Sequence, residues 1–384
     1  MLLSQERVTL KLKAGETVTL AAELATDTTV RHLTLTGNCG DAGAAALGAA
    51  LKTNHTLRSL VLSSNKIKLK GVTGLAEGLA ENRGLMLLDL GNNAIGDAGG
   101  MKVAAALAVN KSLISLCVAL CELEEESAVA LGAALKRNTT LEQLNLGSGF
   151  KMRTKGFLAL ADAIKTNTTL KYLHFQDVEL DSAVPEGHAG YYAVTADALK
   201  AFAAALAVNT GLVKLNFFGT GTIGDEGFEA LAGALESNNT LRSLHVGSGL
   251  TSRGCAAFGA ALVKNTSLYS LQHSTGVGCD PVLTDADKAA MLEGIKRNSD
   301  AVLALKKAGQ PYAADNHPNF NWSTAFPLLK SHIARADNEE AASASASSRS
   351  VSSVAGKKRA GAAQDRPSAK KPAADKPSAK RSAR

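Results

Sequence analysis

The sequence is poor in aromatic residues, which make up 4% of its 384 residues and include a single tryptophan, Trp322. Small and branched aliphatic residues, chiefly Ala and Leu, therefore carry most of its 45% hydrophobic content. No run of about 18 apolar residues occurs, and residues 1–7 lack the apolar segment of a signal peptide. These absences argue against a membrane protein and predict a cytoplasmic chain.

Cysteine is also scarce, and its pattern excludes a disulfide framework. The sequence contains five cysteines, an odd number without regular spacing: Cys39, Cys117, Cys121, Cys255 and Cys279. Cys117 and Cys121 are four residues apart, but no further ligand of the zinc type lies near them. The sequence therefore predicts neither a metal site nor a cofactor.

What the sequence does contain is one pattern, N-x-[TS]-L-x-x-L-x-L, that recurs along most of the chain. It is clearest at Asn138 to Leu146. Its asparagine returns at intervals of 28, 28, 28, 29, 42, 29, 27 and 33 residues: Asn54, Asn82, Asn110, Asn138, Asn167, Asn209, Asn238, Asn265 and Asn298. A fixed period of this size is typical of stacked-repeat proteins, in which each unit packs on its neighbours.

Each unit combines a short strand with a helix. The L-x-x-L-x-L segment predicts the strand, and apolar residues at i, i+3, i+4 and i+7 predict a helix with one buried face. Three examples of that face are Val72, Leu75, Ala76 and Leu79; Phe157, Leu160, Ala161 and Ile164; and Phe228, Leu231, Ala232 and Leu235. In the third repeat the buried face is assigned to Met101, Ala104, Ala105 and Leu107. Because strands stack at ~4.8 Å and helices at ~10 Å, the array must curve with its strands inside. The predicted fold class is an α/β solenoid shaped like a horseshoe.

Two residue types are assigned to the connections between these elements. Asp41, Asp97 and Asp225 lie at helix starts, where a carboxylate can accept otherwise unpaired amide protons. The repeating asparagine closes each helix; it tolerates a left-handed conformation and is expected to hydrogen-bond the chain as it turns into the next strand.

The 28- to 29-residue period, the L-x-x-L-x-L strand and the A-L-x-x-N helix ending resemble the ribonuclease-inhibitor class of leucine-rich repeats. The resemblance covers residues 28–298 as nine repeats, with strands on a concave face and helices on a convex face. It looks like the repeat domains of intracellular sensor proteins, ribonuclease inhibitor and the Ran GTPase-activating protein. Residues 1–27 are interpreted as an N-terminal cap, in which Asp27 replaces the repeating asparagine, 299–337 as a C-terminal cap and 338–384 as a disordered basic tail.

One interval is about 14 residues longer than the period, and the surplus lies near residues 178–195. Insertions in repeat proteins often project from the binding face. The alternative is a tolerated surface loop without function. Tyr191 and Tyr192 favour the first interpretation.

Strand residues between the buried leucines are predicted to point into the concavity. They are small in the first half of the array and larger in the second half, beside the insertion. The predicted partner-binding residues are Tyr172, His174, Gln176, Tyr191, Tyr192, Lys214, Asn216, Phe218 and His245. Aromatic side chains on a sparsely charged surface are typical of interface hot spots. The chain is therefore predicted to be a monomeric, non-enzymatic scaffold for a protein partner.

The net charge of +7 belongs to the tail. Residues 338–384 contain 11 basic and 4 acidic residues, which leaves 31 of each kind in the rest of the chain. The basic clusters are Lys357, Lys358, Arg359, Lys370, Lys371, Lys380 and Arg381. They resemble a bipartite nuclear-import signal and the tails of linker histones. Import, binding of nucleic acid or another acidic surface, and simple solubility are the open interpretations.

The main alternative function is regulation of a specific enzyme, as the inhibitor and GTPase-activator members of the class would allow. The few cysteines and the absence of an acidic concavity argue against a nuclease inhibitor. The basic extension argues against a GTPase activator, and a nucleic-acid tether would rest on the tail alone. No nucleophile elbow, phosphate-binding loop or metal-spaced His/Cys group indicates an enzyme.

Overall fold

The computed structural model describes residues 5–13, 15–175, 196–217, 223–247, 249–273 and 285–307. These ranges belong to one compact unit that spans residues 1–330. Trp322 and the whole of the predicted tail lie outside the described residues.

Short strands alternate with helices throughout the described ranges. The strands are β1 Arg7–Leu12, β2 His32–Gly37, β3 Ser59–Val61, β4 Leu87–Asp89, β5 Ser115–Cys117, β6 Gln143–Asn145, β7 Tyr172–His174, β8 Lys214–Asn216, β9 Ser243–Val246 and β10 Ser270–His273. The helices are α1 Glu16–Leu24, α2 Gly40–Leu51, α3 Leu69–Glu81, α4 Gly96–Val109, α5 Glu125–Arg137, α6 Arg153–Ile164, α7 Ala196–Val208, α8 Asp225–Ser237, α9 Ser252–Lys264 and α10 Asp285–Lys307. Within these ranges, no helix combines the length and apolarity that crossing a bilayer requires.

The ten described strands form one parallel sheet whose spatial order is the chain order. The register places equivalent leucines of successive strands side by side: Leu60, Leu88, Leu116, Leu144, Leu173, Leu215, Leu244 and Leu271. A parallel sheet built in this way, with one helix between each pair of strands, confirms the predicted α/β solenoid.

One continuous apolar core lies between the sheet and the helices. The predicted buried faces of α3, α6 and α8 are confirmed. In α4, Ala104 and Leu107 are buried as predicted, but Met101 is 44% exposed and Ala105 is also exposed, whereas Val103 and Ala106 are buried. The cause is the pair Gly99-Gly100. A Cβ on Gly100 would lie 2.6 Å from Leu123 Cδ2, so this core position has no room for a side chain.

Each repeating asparagine joins two repeats. Asn138 Nδ2 donates to the carbonyl oxygens of Leu107 at 2.8 Å and Asn110 at 3.2 Å in the preceding repeat. Its Oδ1 accepts from the backbone N–H groups of Thr140 at 2.9 Å and Leu141 at 2.7 Å. The same four contacts recur at Asn54, Asn82, Asn110, Asn167, Asn209, Asn238 and Asn265.

The predicted hydrogen bonding of the asparagine is thus confirmed, whereas the left-handed conformation that asparagine tolerates is not adopted at Asn138. Asn138 has φ −80° and ψ 131°, which is extended. The chain passes directly from the helix into the next strand, and the amide group takes over the hydrogen bonds that a left-handed turn would otherwise supply. Left-handed residues occur instead after the strands, at Ser64, Asn92, Leu120 and Ser148.

The two ends of this asparagine ladder differ from its middle. Asp27 Oδ1 accepts from the N–H groups of Thr29 at 2.9 Å and Val30 at 2.7 Å, which is the accepting half of the asparagine role. At the other end, α10 continues to Lys307 and so passes through the predicted repeat boundary at Asn298. There, Arg297 Nη2 donates to Asn265 O at 2.9 Å and extends the ladder with a guanidinium.

A second ladder follows the strands. Asn93 Oδ1 accepts from the N–H groups of Asn65 and Ile67, both at 3.0 Å, and its Nδ2 donates to Leu90 O at 2.7 Å. Cys121 occupies the equivalent place in the next repeat and donates its thiol to Leu90 O at 3.2 Å. Its role is that of a buried hydrogen-bond donor.

The helix-start aspartates cap a different helix from the one predicted. Asp41 Oδ1 accepts from the N–H groups of Lys68 at 2.7 Å and Gly71 at 3.0 Å, which belong to α3 and not to its own α2. Asp97 caps α5 in the same way. The Asp225 carboxylate accepts from the hydroxyl of Thr251, which caps α9.

Candidate protein-binding face

Side chains on the side of the sheet opposite the leucines form what we call the sheet face. On three neighbouring strands, β7 to β9, it carries a group of mostly polar side chains. Strand register aligns Tyr172, Lys214 and Ser243 in one row, and His174, Asn216 and His245 in the next. We call these six residues the β7–β9 patch.

Two side-chain pairs cross from β7 to β8 within the patch. Lys214 Nζ lies 5.5 Å from the centroid of the Tyr172 ring, within the range of a cation–π contact. Asn216 Nδ2 lies 3.1 Å from His174 Nδ1. With the amide as donor, the imidazole carries its proton on Nε2. Both pairs restrict the rotamers of the side chains that they join.

The structure corrects one expectation about this surface. Tyr172 is only 4% exposed, so its ring does not offer the broad aromatic contact that its position suggested. It supports the Lys214 ammonium instead. His174, Lys214, Asn216 and His245 are each half-buried and retain accessible area.

An aromatic cluster lies beneath the patch. Phe175 follows β7 and Phe217 follows β8, and their rings are stacked at 5.4 Å with an interplanar angle of 2°. Phe157 and Phe202 complete the cluster, with centroids 5.1 Å apart. All four side chains are fully buried. Tightly packed aromatic rings resist rearrangement, so this cluster restricts movement of the strands that carry the patch.

The first half of the sheet face, which the sequence predicts to carry small side chains, also contains a half-buried acidic residue beside a cysteine. Asp89 and Cys117 lie side by side on β4 and β5, and Asp89 Oδ1 accepts from the N–H of Gly91 at 2.8 Å. Burial raises the pKa of the Asp89 carboxyl and also the pKa of the Cys117 thiol. The signal was present in the sequence, since Asp89 is the single acidic residue among the predicted concave positions.

Several predicted site residues cannot be placed on this surface. Gln176, Tyr191, Tyr192 and Phe218 lie outside the described residues, as do the basic clusters Lys357, Lys358, Arg359, Lys370, Lys371, Lys380 and Arg381. Their roles stay predictions. Among the residues that are described, no group of three or more His, Cys, Asp and Glu side chains could hold a metal ion.

Comparison with known proteins agrees with the repeat architecture. A family model described as leucine-rich repeat matches residues 53–76, 81–104 and 208–232. Together with the 28-residue period and the parallel sheet, these matches show a leucine-rich-repeat fold. The ribonuclease-inhibitor class within that family stays a prediction.

Similar solved structures include actin-binding site 2 of leiomodin-1, with 16% identity, a TM-score of 0.32 and coverage of 56% of this chain and 97% of that one. Another is a protein from Bacteroides fragilis, with 15% identity, a TM-score of 0.42 and coverage of 72% of this chain and 76% of that one. No curated protein sequence matches the chain. The fold assignment rests on the repeats and the family model.

Proposed function

We propose that this protein is a non-enzymatic scaffold that binds a protein partner on its sheet face, centred on the β7–β9 patch. The observation that carries the proposal is the ordering of neighbouring polar side chains across adjacent strands, Lys214 against Tyr172 and Asn216 against His174. Side chains that are already ordered lose less conformational entropy when a partner binds.

The chemistry of the patch also suits a protein interface. It combines an amide, two imidazoles, a hydroxyl and one ammonium, so it offers hydrogen bonds with little charge to desolvate. The buried phenylalanine cluster keeps the strands in place beneath it. Residues 178–195 lie between β7 and α7 in the sequence, and Tyr191 and Tyr192 within them stay predicted partner-binding residues.

The test is capture of partners from native extract of the source cells by the immobilised full chain, followed by quantitative mass spectrometry. The site variant replaces Lys214, Asn216 and His245 with Ser. The matched control replaces Thr9, Thr34 and Val61, on the same face of β1 to β3, with Ser.

The scaffold proposal expects the site variant to lose specific partners that the control variant retains. Equal capture by both variants would contradict it. Nuclease treatment and the substitutions Lys357→Ser, Lys358→Ser and Arg359→Ser separate the tether alternative, because loss of every partner in these arms would place recognition on the tail.

A further inference from the structure

We infer that Asp89 is a second contact point for the partner on the sheet face, where its carboxylate accepts a basic side chain, lysine or arginine. This inference rests on the proposed function, since it places another part of the same partner on the same face. It concerns the strands β2 to β6, which lie within the continuous described range 15–175.

The strand register shows that the fold does not require an acidic residue where Asp89 lies. At the equivalent position, β2 carries Thr34, β3 carries Val61, β5 carries Cys117 and β6 carries Asn145. These uncharged residues accompany the same strand pairing and the same buried leucines. Across the ten described strands, Asp89 is the single carboxylate in this row. The repeat architecture therefore does not explain the charge at this position.

The Asp89 carboxylate is half-buried, and the groups that donate hydrogen bonds to it are neutral. Its Oδ1 accepts from the N–H of Gly91 at 2.8 Å, and the thiol of Cys117 on the next strand donates to the same carboxylate. Within the described ranges no lysine, arginine or histidine forms an ion pair with it. Burial raises the pKa of this carboxyl above its ordinary value. A basic side chain from a partner would supply an opposite charge and favour the ionised form.

Small residues leave room beside the carboxylate. Gly91, Ala119 and Gly147 come two residues after the row on β4, β5 and β6. A Cβ on Gly91 would lie 3.1 Å from Asp89 Oδ1 and 3.6 Å from Cys117 Sγ, so a side chain at this position would crowd the carboxylate. Glycine keeps this space clear for the end of a long side chain.

Asp89 is close enough to the β7–β9 patch for one partner segment to contact both. His174 lies in the same row, three strands away. This separation corresponds to ~14 Å at the usual strand spacing. An extended peptide that crosses the strands covers it with about four residues.

The first test asks whether the charge serves the fold. Burying an ionised carboxylate without a cation costs free energy. Asp89→Asn removes the charge and keeps an accepting oxygen for the Gly91 amide. Its melting temperature should therefore equal or exceed that of the unmodified chain, as is usual when a binding residue is replaced by one better suited to the fold. A lower melting temperature would overturn the inference.

The second test uses the full chain with a photo-crosslinking benzophenone residue in place of Thr34, two strands from Asp89 in the same row. The probe is fluorescein-labelled hexa-arginine. Hexa-citrulline has nearly the same shape without the charge and is the neutral counterpart. Asp89→Asn is the site variant. Glu77→Gln in α3, where the residue is exposed, is the matched control because it removes the same charge away from the sheet.

The inference expects hexa-arginine to crosslink at position 34 more than hexa-citrulline does. The yield should fall by about threefold or more in Asp89→Asn and stay unchanged in Glu77→Gln. Equal yields with the two peptides, or equal yields in Asp89→Asn and the unmodified chain, would overturn it.

Capture from extract separates this inference from the proposed function. If Asp89→Asn captures as much partner as the unmodified chain, while the variant at Lys214, Asn216 and His245 loses it, the scaffold function stands and the role of Asp89 is refuted. If that variant retains every partner and hexa-arginine crosslinking still depends on Asp89, the proposed function fails and the site for a basic side chain stands.

Discussion

The carboxylate of Asp97 caps the helix of the following repeat: its Oδ1 accepts a hydrogen bond from the N–H of Ser127 at 2.8 Å. The same oxygen accepts from the N–H of Glu124 at 3.0 Å. Two of the amide groups that lack a partner at the start of α5 are thus satisfied by a side chain of α4. Hydrogen bonds at the helix starts therefore couple neighbouring repeats, in addition to their packing.

Replacing this cap should loosen the start of α5. We expect Asp97→Ala to cost about 1 kcal/mol and to speed hydrogen exchange at the Ser127 amide. Asp97→Asn keeps an accepting oxygen, so its stability and its Ser127 exchange rate should lie between those of the unmodified chain and of Asp97→Ala. The control is Asp197→Ala in the first turn of α7, where the Asp side chain is 97% exposed; its cost should stay below about 0.5 kcal/mol. Equal exchange rates in the two alanine variants would contradict inter-repeat capping.

The asparagine ladder predicts that substitutions in its interior and at its first position differ strongly in their cost to stability. Asn138 is 1% exposed and makes four hydrogen bonds, so Asn138→Ala leaves buried backbone groups unpaired and should cost about 3 kcal/mol or more. Asp27→Asn keeps the accepting oxygen that the first unit uses, so it should be nearly neutral. Urea denaturation of both variants tests the argument, which fails if their costs are similar.

Glycines at the contact between α2 and α3 set the distance between these helices. A Cβ on Gly78 would lie 1.9 Å from Gly48 O, which is backbone and cannot move aside cheaply. We expect Gly78→Ala to destabilise the chain by about 1–3 kcal/mol. Gly233→Ala in α8 is the matched control, because nothing lies within 4 Å of its added Cβ.

In that open helix position, alanine should stabilise the chain by roughly 0.5–1 kcal/mol, because it restricts the unfolded backbone more than glycine does. Thermal melts of the two variants should therefore shift in opposite directions. Melting-temperature shifts of the same sign would show that close approach of the two backbones does not set the distance between α2 and α3.

Buried thiols predict how stability depends on alkaline pH. Burial raises the pKa of Cys39 to about 11 and that of Cys121 to about 12, from 9.0. Above pH 9.0 the unfolded chain loses these protons first, so unfolding becomes more favourable as pH rises, until the folded thiols also ionise near pH 11 to 12. Each thiol contributes a slope of up to about 1.4 kcal/mol per pH unit.

Cys121→Ser keeps a donor for Leu90 O and does not ionise in this range. We expect its unfolding free energy to fall less steeply than that of the unmodified chain between pH 9 and 11. Urea titrations at several pH values measure the slopes, and identical slopes would contradict the role assigned to this thiol.

Most of the fold could be predicted from the repeat period, because the same apolar spacing recurs in every unit and each unit packs in the same way on its neighbour. The side-chain contacts between units could not be predicted from the repeat period. Asp97 was correctly predicted to accept helix-start amides, but sequence spacing alone could not show that the amides belong to the next repeat. At Gly99-Gly100 the two adjacent glycines made the helix register ambiguous, and the contact with Leu123 decides it.

The candidate site shows the same division. Strand alternation correctly placed His174, Lys214, Asn216 and His245 on one face, since side chains alternate along a strand. It could not predict that Tyr172 is buried and supports Lys214, because that depends on how side chains of neighbouring strands meet. Nor could it reveal the stacking of Phe175 on Phe217 beneath the patch.

Hydrogen–deuterium exchange of the full chain, free and with a partner captured from extract, tests the central claim most directly. The account predicts that bound partner slows exchange in the peptides that contain β7, β8 and β9. Peptides from β1 to β3 and from the outer surfaces of α2 to α5 should be unchanged. Protection confined to helices, or to residues 338–384, would contradict the assignment of partner binding to the sheet face.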